Sequence, residues 1–237
     1  MGRSVVLAGA ARCPRCSLPP RWCTCDVLPA VETRHVVNVL IHRQEAAKPS
    51  STGRLITRVV RGAAGHVYQR ETRFFPAATF TADVSEAGGD VWILHPHGQP
   101  LPRQTDAEDG TALARRRVLL LDGTWRQAGE MLRSVEAAGR CIRLPDAAAT
   151  PSRYWLREQA GLAQLSTAEA LMAFFHALDE HGADHGLRLH FELHVYATLL
   201  ARGRREMAER YLGHSPLLTD AADALGRFHA RQAPGLW

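Results

Sequence analysis

Four cysteines near the start of the 237-residue chain have the spacing Cys-x2-Cys-x6-Cys-x-Cys. They are Cys13, Cys16, Cys23 and Cys25. Clustered cysteines in a cytosolic protein usually bind a metal rather than form disulfides. Four thiolates complete the tetrahedral shell of Zn2+, and a complete shell leaves no position for a substrate. We therefore predict a structural zinc ion, with a redox pair or four free thiols as the alternatives.

An aspartate follows directly on a run of aliphatic residues. Val118 to Leu121 contain no polar side chain, which is typical of a strand covered on both faces. Gly123 then allows a sharp turn, and Thr124 can cap a helix. Asp122 is thereby placed at the carboxyl end of a strand, where open α/β sheets bind ligands. A simple turn role explains the same pattern equally well.

Basic residues follow the end of another predicted strand, at 36–41. Arg43 and Lys48 lie in the polar segment behind it, and Arg54 lies on an arginine-rich face of a helix that we predict from Thr52 to about residue 61. A solvated surface is the default explanation of such a stripe. Because the segment begins at a strand end, a binding site is the alternative.

Arginines and aromatic residues are mixed in the segment 151–158, which includes Arg153, Tyr154 and Arg157. The mixture suits stacking on nucleobases and pairing with phosphates. Packing of the aromatic residues against a sheet is an equally good explanation. Further on, Ser166 and Glu169 form a capping box, and the amides that begin this helix could also bind an anion such as a carboxylate.

An alternation of strands and helices positions these residues. We predict an α/β fold with a mainly parallel sheet flanked by helices. Further strands are expected at 91–94 and 141–144, a rigid turn at 95–100, and one long helix over 187–212. The helix that Thr124 can cap has apolar positions that include Trp125, Ala128, Met131, Leu132 and Val135. We divide the chain into a zinc knuckle at 1–30, a central domain at 31–213 and a tail at 214–237.

The composition is that of a globular protein with a mildly basic charge. Hydrophobic residues make up 46% of the chain, and no apolar run approaches the roughly 20 residues that cross a bilayer. Residues 1–11 hold too short an apolar patch for a signal peptide, so we expect a cytoplasmic protein. A net charge of +5 suits a polyanionic partner without identifying one. The absence of glycine-rich nucleotide motifs after a strand argues against dinucleotide and P-loop chemistry.

Several motifs occur in an order that resembles the DTW-domain family. The motif that names the family, Asp-x-Thr-Trp, is residues 122–125 here, and the cysteine cluster is similar to that of the family. Other similar segments are Glu45…Lys48…Ser51-Thr52-Gly53-Arg54-Leu55, Leu94-His95-Pro96, Tyr154-Trp155-Leu156-Arg157 and Ser166-Thr167-Ala168-Glu169-Ala170. Ser51 departs from an expected Asn, and His95 from an expected Tyr. The resemblance covers about residues 13–210.

The resemblance implies a SPOUT-like, knotted fold that holds S-adenosylmethionine in loops at strand ends. It also implies transfer of the 3-amino-3-carboxypropyl group of S-adenosylmethionine to N3 of a uridine in the tRNA variable loop, with release of 5′-methylthioadenosine. The partner is then tRNA, with no membrane, and the protein is a monomer or a homodimer. The alternatives are an S-adenosylmethionine-dependent RNA methyltransferase, a non-catalytic zinc-containing RNA-binding protein, and the same transfer to ribosomal RNA.

The resemblance also carries over site residues. Asp122 takes the uridine proton or holds the amino group of the cosubstrate, and Thr124 and Trp125 complete the catalytic group. The implied cosubstrate-binding residues are Leu94, His95, Pro96, Leu121, Asp122, Gly123, Leu144, Leu165, Ser166, Thr167, Glu169 and Ala170. The implied RNA-binding residues are Arg43, Lys48, Arg54, Arg126, Arg153, Tyr154 and Arg157.

Overall fold

The computed structural model describes residues 11–70, 91–102, 115–145, 151–157 and 165–231. Within them lies a five-stranded sheet in the order β2-β1-β4-β3-β5, in which every pair of neighbours is parallel. The strands are β1 (Val36–His42), β2 (Ala64–Tyr68), β3 (Val91–Pro100), β4 (Arg117–Asp122) and β5 (Arg140–Arg143). The predicted α/β class with a parallel sheet is confirmed.

Eight α-helices connect and cover these strands in the described ranges. They are α1 (Arg43–Ala46), α2 (Thr52–Val59), α3 (Trp125–Val135), α4 (Thr167–Ala177), α5 (His181–Ala201), α6 (Arg205–Leu212), α7 (Leu217–Asp220) and α8 (Ala222–Ala230). Short 3-10 turns occur at Pro20–Trp22 and Glu136–Ala138. None of the helices in these ranges has the length and apolarity of a membrane span.

Residues 118–121 of the central strand β4 are all aliphatic because helices cover both of its faces. Val118 and Leu120 belong to the larger core, which also contains residues of α2, α4 and α5. Leu119 points to the opposite face, where it packs with Met131 and Val135 of α3. Successive side chains of a strand point to opposite faces, so a strand between two helical layers has no polar side. The aliphatic run before Asp122 therefore follows from the layered fold.

β3 is longer than predicted. Residues 95–100, expected to form a turn, continue the strand to Pro100, with a shift of register against β5 between Leu94 and Gln99. β4 pairs with β3 only at Val91 to Ile93, so the later prolines interrupt no ladder on that side. A Cβ on Gly98 would lie 2.6 Å from backbone atoms of β5, which explains why glycine occupies the irregular part.

The single helix predicted over 187–212 is two helices. α5 begins earlier, at His181, and ends at Ala201, and α6 begins at Arg205. Gly203 between them has a φ of 72°, which side chains other than glycine rarely adopt. The chain therefore turns at Arg202–Arg204, and glycine stops the helix that the apolar pattern alone would continue.

The last described helix packs against the cysteine segment. The rings of Phe228 and Trp22 lie 6.2 Å apart, and Arg227 donates a hydrogen bond to the carbonyl of Val27 at 3.1 Å. The predicted division into knuckle, central domain and tail stays a prediction. The knot also stays a prediction.

Candidate functional site

The carboxylate of Asp122 lies at the carboxyl end of β4 and joins three elements. The hydroxyl of Ser51 donates to its Oδ2 at 2.7 Å, and the hydroxyl of Thr167 donates to its Oδ1 at 2.6 Å. The backbone N–H of Gly53 also donates to this carboxylate. Ser51 and Gly53 belong to the start of α2, and Thr167 is the first residue of α4. The side chain is therefore fixed by the amino-terminal ends of two helices.

Both helix ends are capped in a way that leaves them facing Asp122. Ser51 accepts a hydrogen bond from the N–H of Arg54 at 3.1 Å while it donates to the carboxylate. Ser166 and Glu169 form the capping box of α4, as predicted. The positive ends of helix dipoles favour an anion. Burial nevertheless raises the pKa of Asp122, which is only 5% exposed, and the hydrogen bonds from Thr167 and Ser51 oppose that rise.

A second buried carboxylate lies near the first. Glu45, in α1, is 1% exposed and accepts hydrogen bonds from Lys48 Nζ at 2.8 Å and from Arg157. The Arg157 guanidinium is 5.8 Å from the ring centre of Tyr154, whose hydroxyl donates to the carbonyl of Ser50. These contacts bring the segment 151–157 against the loop that leads into α2.

The four clustered cysteines have the geometry of a metal site. Their sulfur atoms all lie within 4.8 Å of one another, and the pairs Cys13–Cys25 and Cys16–Cys23 are 3.8 Å apart. Bonds of about 2.3 Å to a tetrahedral zinc ion require sulfur–sulfur distances of about 3.8 Å. Disulfides are much shorter, about 2 Å, and all four cysteines are free. The cluster can hold a metal and is compatible with zinc.

The model of one protein family, the DTW domain, matches residues 10–200. The chain belongs to the DTW domain family. The match contains the cysteine cluster, all five described strands and Asp122, and it ends within α5. No solved structure matches the chain. Membership of this family points to tRNA modification.

Several predicted site residues of the DTW domain are brought together. Hydrogen bonds link Asp122 to Thr167, Ser166 to Glu169, and Glu169 to the segment that contains Arg153. Leu94 is buried at the end of the regular part of β3, where it is paired with Ile142 of β5, and burial lowers the pKa of the next residue, His95. The remaining residues predicted to bind the cosubstrate have no polar side chains, so hydrogen bonds do not test their role. They are Pro96, Leu121, Gly123, Leu144, Leu165 and Ala170.

Trp125 is 47% exposed, unlike the apolar positions Ala128, Met131 and Val135 of the same helix, which are buried. It is the first residue of the helix, and Thr124 before it forms a capping box with Gln127. Gln127 also donates to the side-chain oxygen of Gln44 at 2.8 Å, which joins α3 to α1. The indole is thus presented outward beside the exposed side chain of Arg126 at the carboxyl edge of the sheet.

Three predicted RNA-binding residues have structural contacts instead. Arg153 forms a two-pronged pair with Glu192, with a distance of 2.8 Å from Nε to Oε1, and also donates to the carbonyl of Tyr211. Tyr154 is buried, and Arg54 donates to the hydroxyl of Ser17 at 3.1 Å. The Arg153 and Tyr154 side chains are largely buried and Arg54 is bonded to Ser17, so we leave these three out of the RNA surface that we propose below. Lys48 and Arg157 also pair with Glu45, but their side chains are 48% and 39% exposed, so they stay in that surface.

Three groups around Asp122 were not among the predicted site residues: Ser51, Gly53 and Glu45. They follow the end of β1, and β1 lies directly beside β4 in the sheet. Carboxyl ends of neighbouring parallel strands meet at one edge, so the strand order was the missing information. The sequence does show a serine and a glycine at the start of a helix. This pattern is typical of a capped helix end, and such an end can bind an anionic ligand or an acidic side chain.

Gly53 is expected to tolerate no side chain. A Cβ at this position would lie 2.7 Å from Cβ and Cγ of Asp122, so Gly53→Ala must push α2 away from β4. We expect a loss of stability of about 1–3 kcal/mol, measured by chemical denaturation. Gly129→Ala is the matched control, because nothing lies within 4 Å of that Cβ and an exchange in a helix interior should stabilise. Equal stability of the two variants would contradict the close contact.

Arg58 is one of the cations with a polar contact inside the cysteine segment. Its Nη2 donates to the hydroxyl of Thr24 at 3.3 Å, between Cys23 and Cys25 in sequence, and its charge acts on Cys16 and Cys25. Its Nε is buried and has no hydrogen-bond partner in the described structure. A zinc ion with four thiolates carries a net negative charge, which the guanidinium can offset.

Arg58→Met is therefore expected to weaken metal binding by about 10- to 100-fold. Competition with a coloured chelator measures this without reference to activity. Arg61→Met is the control, since Arg61 is only three residues after Arg58 in the chain but pairs with exposed Glu32. An unchanged metal affinity of the Arg58 variant would show that the guanidinium does not serve the cluster.

Proposed function

We propose that this DTW protein is a tRNA-uridine aminocarboxypropyltransferase. It transfers the 3-amino-3-carboxypropyl group of S-adenosylmethionine to N3 of a uridine in the tRNA variable loop. The bond from the γ-carbon to sulfur breaks, its electron pair stays on sulfur in 5′-methylthioadenosine, and the same carbon bonds to N3 while the N3 proton is released to water. Family membership supports the class of reaction, and the surroundings of Asp122 support the cosubstrate.

The observation that carries the proposal is that Asp122 is a buried carboxylate whose donors are all neutral. Two hydroxyls and one amide bind it, and in the described part of the chain no cation pairs with it directly. Arg157, which acts on it electrostatically, is paired with Glu45. A buried charge is costly unless a cation lies near it. S-adenosylmethionine brings two cationic groups, the sulfonium and the α-ammonium.

We assign Asp122 to the ammonium group of the cosubstrate rather than to the N3 proton. Three donors hold its oxygens at the ends of two helices, which suits a fixed binding group. The two roles have different consequences: a binding group makes cosubstrate affinity depend on pH without RNA, whereas a base affects only the reaction step. The amides that begin α4 are the proposed partners of the cosubstrate carboxylate.

We also propose a tRNA-binding surface, a structural zinc site and a knotted path of the chain. Arg43, Lys48, Arg126 and Arg157 are proposed to bind tRNA phosphates, and Trp125 and Thr124 to border the reacting group. The cysteine cluster is proposed to hold structural zinc, which supplies no chemistry to the transfer because its shell is complete. A knotted SPOUT-like path of the chain is proposed on the same family resemblance.

Incubation of the protein with S-adenosylmethionine and undermodified tRNA tests the proposal. We expect 5′-methylthioadenosine and a mass gain on uridine that equals one aminocarboxypropyl group. S-adenosylhomocysteine would instead indicate a methyltransferase. Binding of tRNA that survives Asp122→Ala, without any turnover of the cosubstrate, would indicate a non-catalytic RNA-binding protein. Competition between tRNA and ribosomal RNA identifies the class of RNA substrate.

A further inference from the structure

We infer that the RNA-binding surface continues past the region of the family match to the turn between α5 and α6, where Arg202 and Arg204 bind backbone phosphates next to the target nucleotide. The inference rests on the proposed function only in taking RNA as the partner. Both residues follow residue 200, where the match ends, and neither was predicted from the sequence.

A continuous series of contacts connects this turn to the Asp122 site. Gln127 of α3 is bonded to Gln44 of α1, and Glu45, the next residue, is paired with Arg157. Arg202 then donates from Nη1 to the carbonyl of Leu156, at 2.9 Å, directly before Arg157 in the chain. We call the basic residues along this path the basic strip. They are Arg126, Arg43, Lys48, Arg157, Arg202 and Arg204.

The end of the basic strip at the α5–α6 turn holds like charges close together. The pKa of Arg202 is lowered by burial first, and the charges of Arg204 and Arg157 lower it further. Glu45, the carboxylate at this end, is already paired with Arg157 and Lys48. Among the described residues no carboxylate forms an ion pair with Arg202 or Arg204. An anion bound here would relieve the repulsion.

The geometry of the turn holds both arginines in place without using their charges. Gly203 turns the chain in the left-handed region, and the backbone N–H of Arg204 donates to the carbonyl of Leu199 at 3.0 Å. The Arg204 side chain is exposed, and Arg202 uses one N–H in its bond to Leu156. Guanidinium groups have several donors in one plane, which matches the oxygens of a phosphate.

The backbone of an RNA strand is the anion that fits an extended strip. A single small anion would occupy one end, whereas the basic strip extends from α3 past Glu45 and Arg157 to the α5–α6 turn. Phosphates on either side of a nucleotide placed at Asp122 could contact Arg126 and Arg43 at one end and Arg202 and Arg204 at the other. Such contacts fix the position of the strand and carry no information about its sequence.

Binding of an unmodified tRNA transcript to Arg204→Gln, measured at several salt concentrations, tests the inference. We expect the Kd to rise about five-fold and the slope of log K against log salt to become smaller by about 0.7 to 0.9, as for one lost phosphate contact. Arg204→Lys should recover most of the affinity because it keeps the charge. Arg210→Gln is the matched control and should change neither value. Arg210 is an exposed residue of α6 and lies about 120° around the helix axis from Arg204.

Binding of S-adenosylmethionine to Arg204→Gln should equal that of the unchanged protein. If Arg204→Gln and Arg210→Gln bind tRNA alike, the inference is wrong even when the unchanged protein makes the modified uridine. If the unchanged protein binds tRNA with the expected Arg204 effect but transfers nothing, the surface is right and the proposed reaction is wrong. A protein that binds no tRNA contradicts both.

Discussion

Asp122→Asn is expected to weaken the binding of S-adenosylmethionine by about 30-fold or more and to reduce transfer at least as much. Removing one partner of a buried charge pair costs about 2–5 kcal/mol, and each 1.4 kcal/mol is about a factor of ten. The fold should persist, because the amide has the shape of the carboxylate and its oxygen can accept from Gly53 and Ser51. Isothermal titration with the cosubstrate, together with a melting curve, measures both effects.

The pH dependence of this binding has a definite sign. Burial raises the pKa of Asp122 in the free protein, so the ionised form that attracts a cation is populated only above that raised pKa. Cosubstrate affinity should therefore increase with pH through this range, and the increase should vanish in Asp122→Asn. The same shift means that Asp122 stabilises the fold most below its ordinary pKa of 3.8 and that this contribution is lost as pH rises through the raised pKa.

Ser51→Ala is the control for Asp122→Asn. It removes one donor and leaves the negative charge, so its effect on cosubstrate binding should be several times smaller. If Asp122→Asn binds the cosubstrate as tightly as the unchanged protein, Asp122 is not the partner of its ammonium group.

Cys23→Ser should release the metal and lower the melting temperature by about 10 °C or more. Binding of structural zinc by four cysteines contributes about 10–16 kcal/mol in small domains, and a loss of several kcal/mol moves the melting temperature of a protein of this size by about 2–4 °C per kcal/mol. The effect should extend to α8, since the carbonyl of Cys23 accepts a hydrogen bond from Arg231 and Trp22 packs on Phe228.

Metal content by mass spectrometry and thermal unfolding of purified Cys23→Ser are the measurements. Cys141→Ser is the control, because Cys141 lies in β5, away from the cluster, and should leave the metal content unchanged. Retention of one zinc ion per chain by Cys23→Ser would show that the ligand set is different from the one assigned here.

The features that could be predicted from the sequence are those encoded by neighbouring residues. The cysteine spacing, the aliphatic run before Asp122, the capping box of Ser166 and Glu169, and the order of the family motifs are all local, and the structure and the family match confirm them. The parallel sheet followed from strands that alternate with helices. Each of these signals lies within a short window of the chain.

Pairings between distant residues could not be predicted in this way. Ser51 and Asp122 are 71 residues apart, and Arg153 and Glu192 are 39 residues apart. Arg153 resembled a phosphate-binding residue because its partner, Glu192, lies on another element. The exposure of Trp125, the first residue of α3, also depends on its surroundings in the fold, which helical periodicity does not show. The strand order places the end of β1 beside the end of β4, and this brings Glu45, Ser51 and Gly53 to Asp122.

We propose that the residues around Asp122 direct the aminocarboxypropyl carbon of a sulfonium cosubstrate to an RNA base. S-adenosylmethionine that carries one isotope in its methyl group and another in its carboxyl group measures this most directly, with unmodified tRNA as acceptor. We predict that the carboxyl isotope enters the tRNA, that the methyl isotope stays with the released thioether, and that Asp122→Asn abolishes the transfer. Entry of the methyl isotope into the tRNA would contradict the claim.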